Sequence, residues 1–183
     1  MIFFLLGWLF GPFGGPVEGQ VSRFLPCTIG LRVQYRSTRD GQALASIEER
    51  PRGQGRELHT CEIERRTTRG EGPAKLEVYA IEHLPDRVAN AGWVDTPTAF
   101  RPPLLVAPLV VGRRWHFNRS DFRVLTLGES IVTPAGTFTD TVRVEERASD
   151  GTFHSERVYA AGIGLVLYTQ GADRLEALSV SVP

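Results

Sequence analysis

The sequence predicts an all-β protein: a single domain of about ten antiparallel strands forming a strongly curved or half-barrel sheet. Three observations carry this prediction. Apolar and polar residues alternate with a period of two in several segments, as in strands that bury one face. The 19 Gly and 12 Pro among 183 residues suit many short segments joined by turns. The spacing of the strand-like segments leaves no room for the helices that βαβ units require.

The overall composition is that of an ordinary soluble globular chain. Its 21 basic and 21 acidic residues cancel to a net charge of zero, and 42% of the residues are hydrophobic. This balance argues against a protein that binds nucleic acids or acidic membranes. Residues 50–69 are rich in Arg but contain no aromatic side chain for base stacking, so we expect no nucleic-acid partner.

The N-terminus has the features of a targeting segment. Residues 2–10 form an uncharged apolar run, which is too short to span a membrane but suits the core of a signal peptide. Val17 and Gly19 are small enough for a cleavage site, which predicts a mature chain that starts at Gln20 and an exported protein, periplasmic or secreted. The alternative is that residues 1–19 are a retained apolar arm in front of the β-domain, residues 20–183. No other stretch reaches membrane length, so we expect no membrane span in the mature chain.

The cysteines bear on export as well. In Phe24-Leu25-Pro26-Cys27, Leu25 is too close to the cysteine for a lipoprotein signal and Pro26 is a poor neighbour, which argues against lipidation of Cys27. Cys27 and Cys61 are an even pair in an exported chain, the setting in which a disulfide is expected. Buried free thiols, or a metal site that includes His59, are the alternatives. The alternation pattern places both cysteines on the inward face.

The first clear hairpin lies between Leu31 and Glu49. Arg39-Asp40-Gly41 is expected to be a three-residue loop, with Gly41 at the positive-φ position. Pairing Thr38 with Gln42 places Tyr35 opposite Ala45 and Val33 opposite Ile47, so that apolar residues meet on one face.

A second hairpin is predicted around Asp150-Gly151, a type I′ turn signal. Its register places Val142 opposite Tyr159, Arg147 opposite His154, and Glu145 opposite Glu156. Thr133-Pro134-Ala135-Gly136 predicts a further turn, with Pro and Gly at their favoured positions.

The other strands follow from alternation bounded by turn residues, and Thr96–Pro108, with its four prolines, is expected to be a long connection between two groups of strands. The remaining predicted strands are Leu58–Arg66, Lys75–His83, Arg87–Val94, Trp115–Leu127, Gly164–Gln170 and Arg174–Val180.

Aromatic residues give the main functional signal. They concentrate in the second half of the chain, where core packing is one interpretation. A curved sheet that leaves an apolar cavity beneath it is the other, because ligand-binding barrels are built in this way. The predicted ligand-binding residues are Tyr35, Trp115, Phe117, Phe138 and Tyr159.

Motifs for catalysis and cofactor binding are absent from the sequence. It contains no G-x-S-x-G, H-E-x-x-H, C-x-x-C or phosphate-binding loop, so we expect no catalytic residue, cofactor or metal. One cluster qualifies as a hydrolase candidate: His154 with Glu145 and Glu156. Arg143 and Arg147 share their face, which favours a solvated ladder of mixed charges instead.

Three stretches carry a resemblance to a known group. They are Pro108–Trp115 (P-L-V-V-G-R-R-W), Thr133–Phe138 (T-P-A-G-T-F) and Tyr159–Val166 (Y-A-A-G-I-G-L-V). Their order and spacing over residues 108–166 resemble the uncharacterised exported bacterial β-domain proteins of the TapB-like group. The resemblance implies a curved antiparallel sheet outside the cytoplasm. It carries no catalytic residue with it, because the shared positions are turn formers and buried aromatics.

Together these observations favour an exported, non-enzymatic β-domain that binds an apolar small molecule or a partner protein. The alternative is a structural or assembly component that docks through residues 1–19 or through a sheet edge. A hydrolase built on His154 is the third hypothesis.

Overall fold

A computed structural model describes residues 21–97 and 99–183. They form a short 3-10 helix, Ser22–Phe24, and fifteen strands. The strands are β1 Arg32–Arg39, β2 Gln42–Gln54, β3 Thr60–Thr68, β4 Lys75–Leu84, β5 Arg87–Trp93, β6 Thr96–Pro97, β7 Pro103–Val106, β8 Arg114–Phe117, β9 Ser120–Leu127, β10 Ile131–Thr133, β11 Gly136–Phe138, β12 Thr141–Ala148, β13 His154–Ala160, β14 Gly164–Gln170 and β15 Asp173–Ser181.

All but two of these strands belong to one antiparallel sheet. Its order is β6-β5-β4-β3-β2-β1-β15-β14-β13-β12-β9-β8, and β7 adds to the outer part of β5. Two meanders, one from each half of the chain, are therefore joined where the first long strand pairs with the last. The sheet curves until it is nearly a barrel, which confirms the predicted all-β, strongly curved architecture with more strands than the ten expected.

The proline-rich segment predicted as a plain connection bridges the two edges of this sheet. It contains β6 and β7, and the indole nitrogen of Trp115 in β8 donates to the carbonyl oxygen of Pro103 at 3.3 Å. Phe100 contacts Phe117 with ring centroids 4.8 Å apart, and the amide of Gly112 donates to the carbonyl oxygen of Val124 in β9. Pro residues suit this position because an edge strand can leave N–H positions unpaired.

The residues before β1 fill one end of the half-barrel, and we call Val21–Leu25 the plug. Val21 and Phe24 are fully buried among residues of the concave face of the sheet. Outside the core, Arg23 forms two hydrogen bonds to the carboxylate of Asp140, and its carbonyl oxygen accepts from the amide of Gly162 at 2.7 Å.

A second buried cluster begins at Val33 and Tyr35 on the concave side and extends to the opposite face of β13. The small β10–β11 hairpin packs there, with Ile131 next to Val158, Ala160 and Leu167. Its turn falls at Thr133–Gly136, as the sequence predicts. Two layers therefore cover parts of both sides of the main sheet.

The first hairpin forms where expected, but in a different register. Tyr35 pairs with Ile47 instead of Ala45, because the loop is one residue shorter than expected and a bulge between Ser37 and Thr38 shifts the pairing by one more residue. The loop has two residues, Asp40 and Gly41, both with positive φ (49° and 78°), instead of the expected three. Beyond the bulge the shift amounts to two residues, so Val33 and Tyr35 keep their predicted face, whereas Leu44 at the bulge lines the concave face together with Ala45.

The second hairpin has the predicted register, with Val142 opposite Tyr159. Its turn is not type I′, because only Gly151 has a positive φ. The carboxylate of Asp150 accepts from the amide of Thr152 at 3.0 Å and from its hydroxyl, which stabilises a longer loop.

The predicted strand Trp115–Leu127 is divided into two strands, since Asn118 at φ 55° makes a turn between β8 and β9.

Cys27 and Cys61 form a disulfide that attaches the segment after the plug to β3. Cys61 is buried, but Cys27 is exposed, so the prediction that both face inward is wrong for Cys27. The reason is that Cys27 lies in an irregular segment before β1, where strand alternation does not apply.

Candidate functional site

Two adjoining cavities lie on the concave face of the sheet. The inner cavity, about 170 Å³, is next to the plug and is lined mainly by apolar side chains, among them Leu25, Val33, Ile63, Ile81 and Leu165. The outer trough, about 660 Å³, lies towards the other end of the half-barrel. Its apolar wall consists of Leu44, Ala45, Ile47 and Trp93.

Arg65 lines both cavities and marks the junction between them. It lies directly opposite Glu49 in the β2–β3 pairing, and its Nε donates to the Glu49 carboxylate at 2.7 Å. The Glu49 side chain is only 13% exposed and that of Arg65 31%, so this ion pair is largely withdrawn from water. A buried charge of this kind is stable only when it is paired and hydrogen-bonded, and both conditions are met here.

Aromatic rings surround the Arg65 guanidinium. Its central carbon lies 4.9 Å from the ring centre of Tyr79 and 5.9 Å from that of Trp93. These two rings also meet each other edge-on, with centroids 5.7 Å apart. Cation–π attraction and the Glu49 contact therefore hold Arg65 in one position at the boundary between the cavities.

Two tyrosines complete the polar part of the inner cavity. The hydroxyl of Tyr35 donates to the carbonyl oxygen of Leu165 at 2.9 Å and lies 3.4 Å from the Glu49 carboxylate. Tyr159 lines the same cavity beside Arg157, which is paired with Glu146. The inner cavity is thus mainly apolar, and each of its two arginines, Arg65 and Arg157, is neutralised by a carboxylate.

Burial and nearby charges shift the pKa values of the tyrosines and of Arg65 in this site. Burial, with the nearby Glu49 charge, holds the pKa of both Tyr35 and Tyr79 well above the ordinary phenol value. Burial raises the pKa of Tyr159 to about 12, against the opposing effect of Arg157. Burial acts to lower the pKa of Arg65, but the charge of Glu49 outweighs it and the pKa is raised. Arg65 therefore stays cationic.

We expect the tyrosines to resist ionisation in the folded protein. All four tyrosines of the chain have raised pKa values, and a raised folded-state pKa gives stability below the unfolded pKa that is lost as pH rises. At about pH 11, where free phenols are mostly ionised, phenolate absorbance should stay low until the protein unfolds. The same chain in denaturant should titrate near the ordinary value. A full phenolate signal with unchanged circular dichroism would contradict this expectation.

The structure places the five predicted ligand-binding residues in different environments. Tyr35 and Tyr159 line the inner cavity. Trp115 stacks on Phe122 at 5.4 Å and Phe117 contacts Phe100, both near the bridged sheet edges. Phe138 packs in the second cluster with the β10–β11 hairpin. None of these last three residues is part of the inner-cavity or outer-trough lining.

Sequence reasoning missed Glu49, Arg65, Tyr79 and Trp93. A usable signal was present in β3, where Arg65 follows Cys61 and Ile63 on the inward face. A charged residue on an apolar strand face predicts a buried ion pair or a site.

The hydrolase candidates do meet, but outside both cavities. His154 lies 3.0 Å from Glu145 and 4.0 Å from Glu156, on the sheet face opposite Tyr159. Arg147 pairs with Glu145, and Arg143 pairs with Glu156. Burial acts to raise the pKa of Glu145, but Arg147 outweighs it, so that this pKa is lowered. A carboxylate held in this way is a weak general base, and the arrangement is a ladder of mixed charges on the outer surface.

Over the ranges 21–97 and 99–183, no group of three or more His, Cys, Asp or Glu side chains is arranged to hold a metal ion. The same residues include no helix with the length and apolar character needed to cross a membrane.

Comparison with known proteins bears on the fold. No family model and no curated protein matches the chain, so the resemblance to the TapB-like group stays a prediction. Two solved structures match. One is a Bacteroides fragilis protein described as exported, with a TM-score of 0.56 and 15% identity over 85% of this chain and 97% of the other. The second is a Parabacteroides distasonis protein described as a lipoprotein, with a TM-score of 0.51 and 14% identity over 88% and 99% of the two chains. The chain therefore has the same overall fold as these two bacterial proteins, and the first is described as having a YmcC-like fold.

Proposed function

We propose that this protein is an exported, non-enzymatic β-domain that binds an apolar small molecule on its concave face. The observation that carries the proposal is the pair of adjoining cavities, an apolar inner cavity and a wider trough that share Arg65. Concave, mostly apolar sites with a few fixed polar groups are typical of small-molecule binding. In the inner cavity Glu49 is paired with Arg65, and the pKa of Tyr35 is raised by burial, so this carboxylate and phenol do not favour acid–base catalysis.

Two observations support export. The Cys27–Cys61 disulfide suits an oxidising compartment, and the structural neighbours are described as an exported protein and a lipoprotein. The proposed cleavage before Gln20 lies outside the described residues. The description of the second neighbour as a lipoprotein gives no support to the expectation that Cys27 carries no lipid; that expectation rests on the sequence around Cys27 and on the disulfide, which occupies its sulfur.

We expect blocking of the trough to weaken binding of a neutral apolar probe such as N-phenyl-1-naphthylamine. Ala45 lines the trough, so Ala45→Trp fills space that the probe needs and should weaken binding by about tenfold, or ~1.4 kcal/mol. Ser46 is the next residue, exposed on the other face, and Ser46→Trp is the matched control. Fluorescence titration measures both. No saturable binding to the unmodified chain would end the proposal.

Docking to a partner protein is the second candidate. In the described part of the chain β8 pairs only with β9, and Val110 and Val111 before it are 50% and 61% exposed. Edge strands and exposed apolar residues favour association with other chains. The probe titration separates the two functions, because docking at this edge requires no molecule in the trough. A contribution from residues 1–19 lies outside the described residues.

A further inference from the structure

The charges around the outer trough do not balance. Four cationic side chains line it: Arg39, Arg65, Arg69 and Lys75. Three of them have one carboxylate partner each: Asp173 for Arg39, Glu49 for Arg65 and Glu77 for Lys75. The trough therefore combines an apolar wall with charged side chains that leave one cation in excess.

Arg69 is the excess cation. It follows β3 at the open end of the trough, its side chain is exposed, and it forms no ion pair with any residue in 21–97 or 99–183. The preceding inward-facing residues of the same strand are Arg65 and Thr67. A guanidinium at this place can reach a group that lies over the trough without losing an internal partner.

We propose that the outer trough binds a single-chain carboxylate of the fatty-acid class. The carboxylate pairs with Arg69 near the mouth, because a guanidinium holds a carboxylate through two parallel hydrogen bonds. The aliphatic chain lies along Leu44, Ile47 and Trp93 and points towards the inner cavity. The inference rests on the proposed function and adds the chemical class of the ligand.

The arrangement of charges around the trough favours a ligand with a negative charge. A monoanion neutralises the one excess cation, whereas a cationic headgroup would add to the repulsion at the mouth. Deeper in the molecule, Arg65 already neutralises Glu49, so that this carboxylate does not repel an approaching anion strongly. A neutral chain of the same length gains only the apolar contacts.

The first test compares three ligands of equal chain length by isothermal titration calorimetry on the full chain: dodecanoate, 1-dodecanol and dodecyltrimethylammonium. Dodecanoate should bind tightest, and its advantage over dodecanol should shrink as salt is added, because exposed charges are screened. Equal binding of all three, or tighter binding of the cation, would overturn the inference and leave the proposed function standing. No binding of any of the three would count against the proposed function itself.

The second test removes the excess cation. Arg69→Gln should weaken dodecanoate binding by about two- to fivefold, the usual range for an exposed ion pair, and leave dodecanol binding unchanged. Arg66→Gln is the matched control, since Arg66 is exposed on β3, three residues before Arg69, and faces the other side. Equal effects of the two substitutions would show a general charge effect and overturn the role of Arg69.

Discussion

Removal of the Cys27–Cys61 disulfide is expected to lower the free energy of unfolding by about 3–4 kcal/mol. The bond joins residues 34 positions apart, and the chain-entropy model gives a cost of this size for a loop of that length. A domain of this size is stable by only about 5–15 kcal/mol. The loss would therefore be a large fraction of the total.

The effect should be concentrated at the plug. Leu25 and Pro26 line the inner cavity, and the disulfide attaches the chain immediately after them to β3. Without it, the plug is held by the burial of Val21 and Phe24 and by the exposed contacts of Arg23. Hydrogen exchange should then increase first at Val21–Leu25, before the central strands open.

The comparison uses the double variant Cys27→Ser, Cys61→Ala, because Cys61 is buried and a hydroxyl there would be left without a partner. Denaturant unfolding measures the difference from the oxidised chain. Since Cys27 is exposed, a mild reductant should reproduce the loss in the unmodified chain and change nothing in the double variant. Equal stability of oxidised and double-variant chains would contradict the expected role of the disulfide.

Strand faces were predictable from the sequence, whereas pairing details were not. The β12–β13 register was correct because alternation on both strands, together with the position of Asp150-Gly151, leaves one arrangement. The β1–β2 register was wrong by two residues. One comes from a loop that is shorter than expected, and the other from the bulge between Ser37 and Thr38, which leaves no trace in a period-two pattern. The turn types were wrong because the carboxylate of Asp150 bonds to Thr152 in one loop, whereas Asp40 takes a positive φ in the other.

Only part of the candidate site was predictable from the sequence, because the rest depends on how the strands pair. Tyr35 and Tyr159 were identified as aromatic residues on strand faces, and both line the inner cavity. The Glu49–Arg65 pair depends on the register of β2 with β3, which includes a bulge between Pro51 and Gly53, so no local signal links the two residues. Trp93 and Tyr79 join the site only after β4 and β5 curve over it.

Breaking the Glu49–Arg65 pair from one side should destabilise the protein strongly. Glu49→Leu leaves the Arg65 guanidinium without its carboxylate, and Arg65→Leu leaves a carboxylate that is only 13% exposed. Removal of one partner of a buried pair costs about 3 kcal/mol or more, because the remaining charge is neither paired nor hydrated. Each single variant should therefore unfold at a clearly lower denaturant concentration.

The double variant Glu49→Leu, Arg65→Leu is expected to recover most of this loss. Replacing both charges with apolar side chains removes the desolvation cost along with the attraction, so its stability should lie within about 1 kcal/mol of the original chain. A parallel cycle on Arg39 and Asp173, whose side chains are 61% and 39% exposed, should show a much smaller coupling because water screens that pair. Additive losses in the Glu49–Arg65 cycle would contradict a direct interaction. Recovery in the double variant would mean that the pair adds little net stability. Its role would then be to hold Arg65 at the junction between the inner cavity and the outer trough.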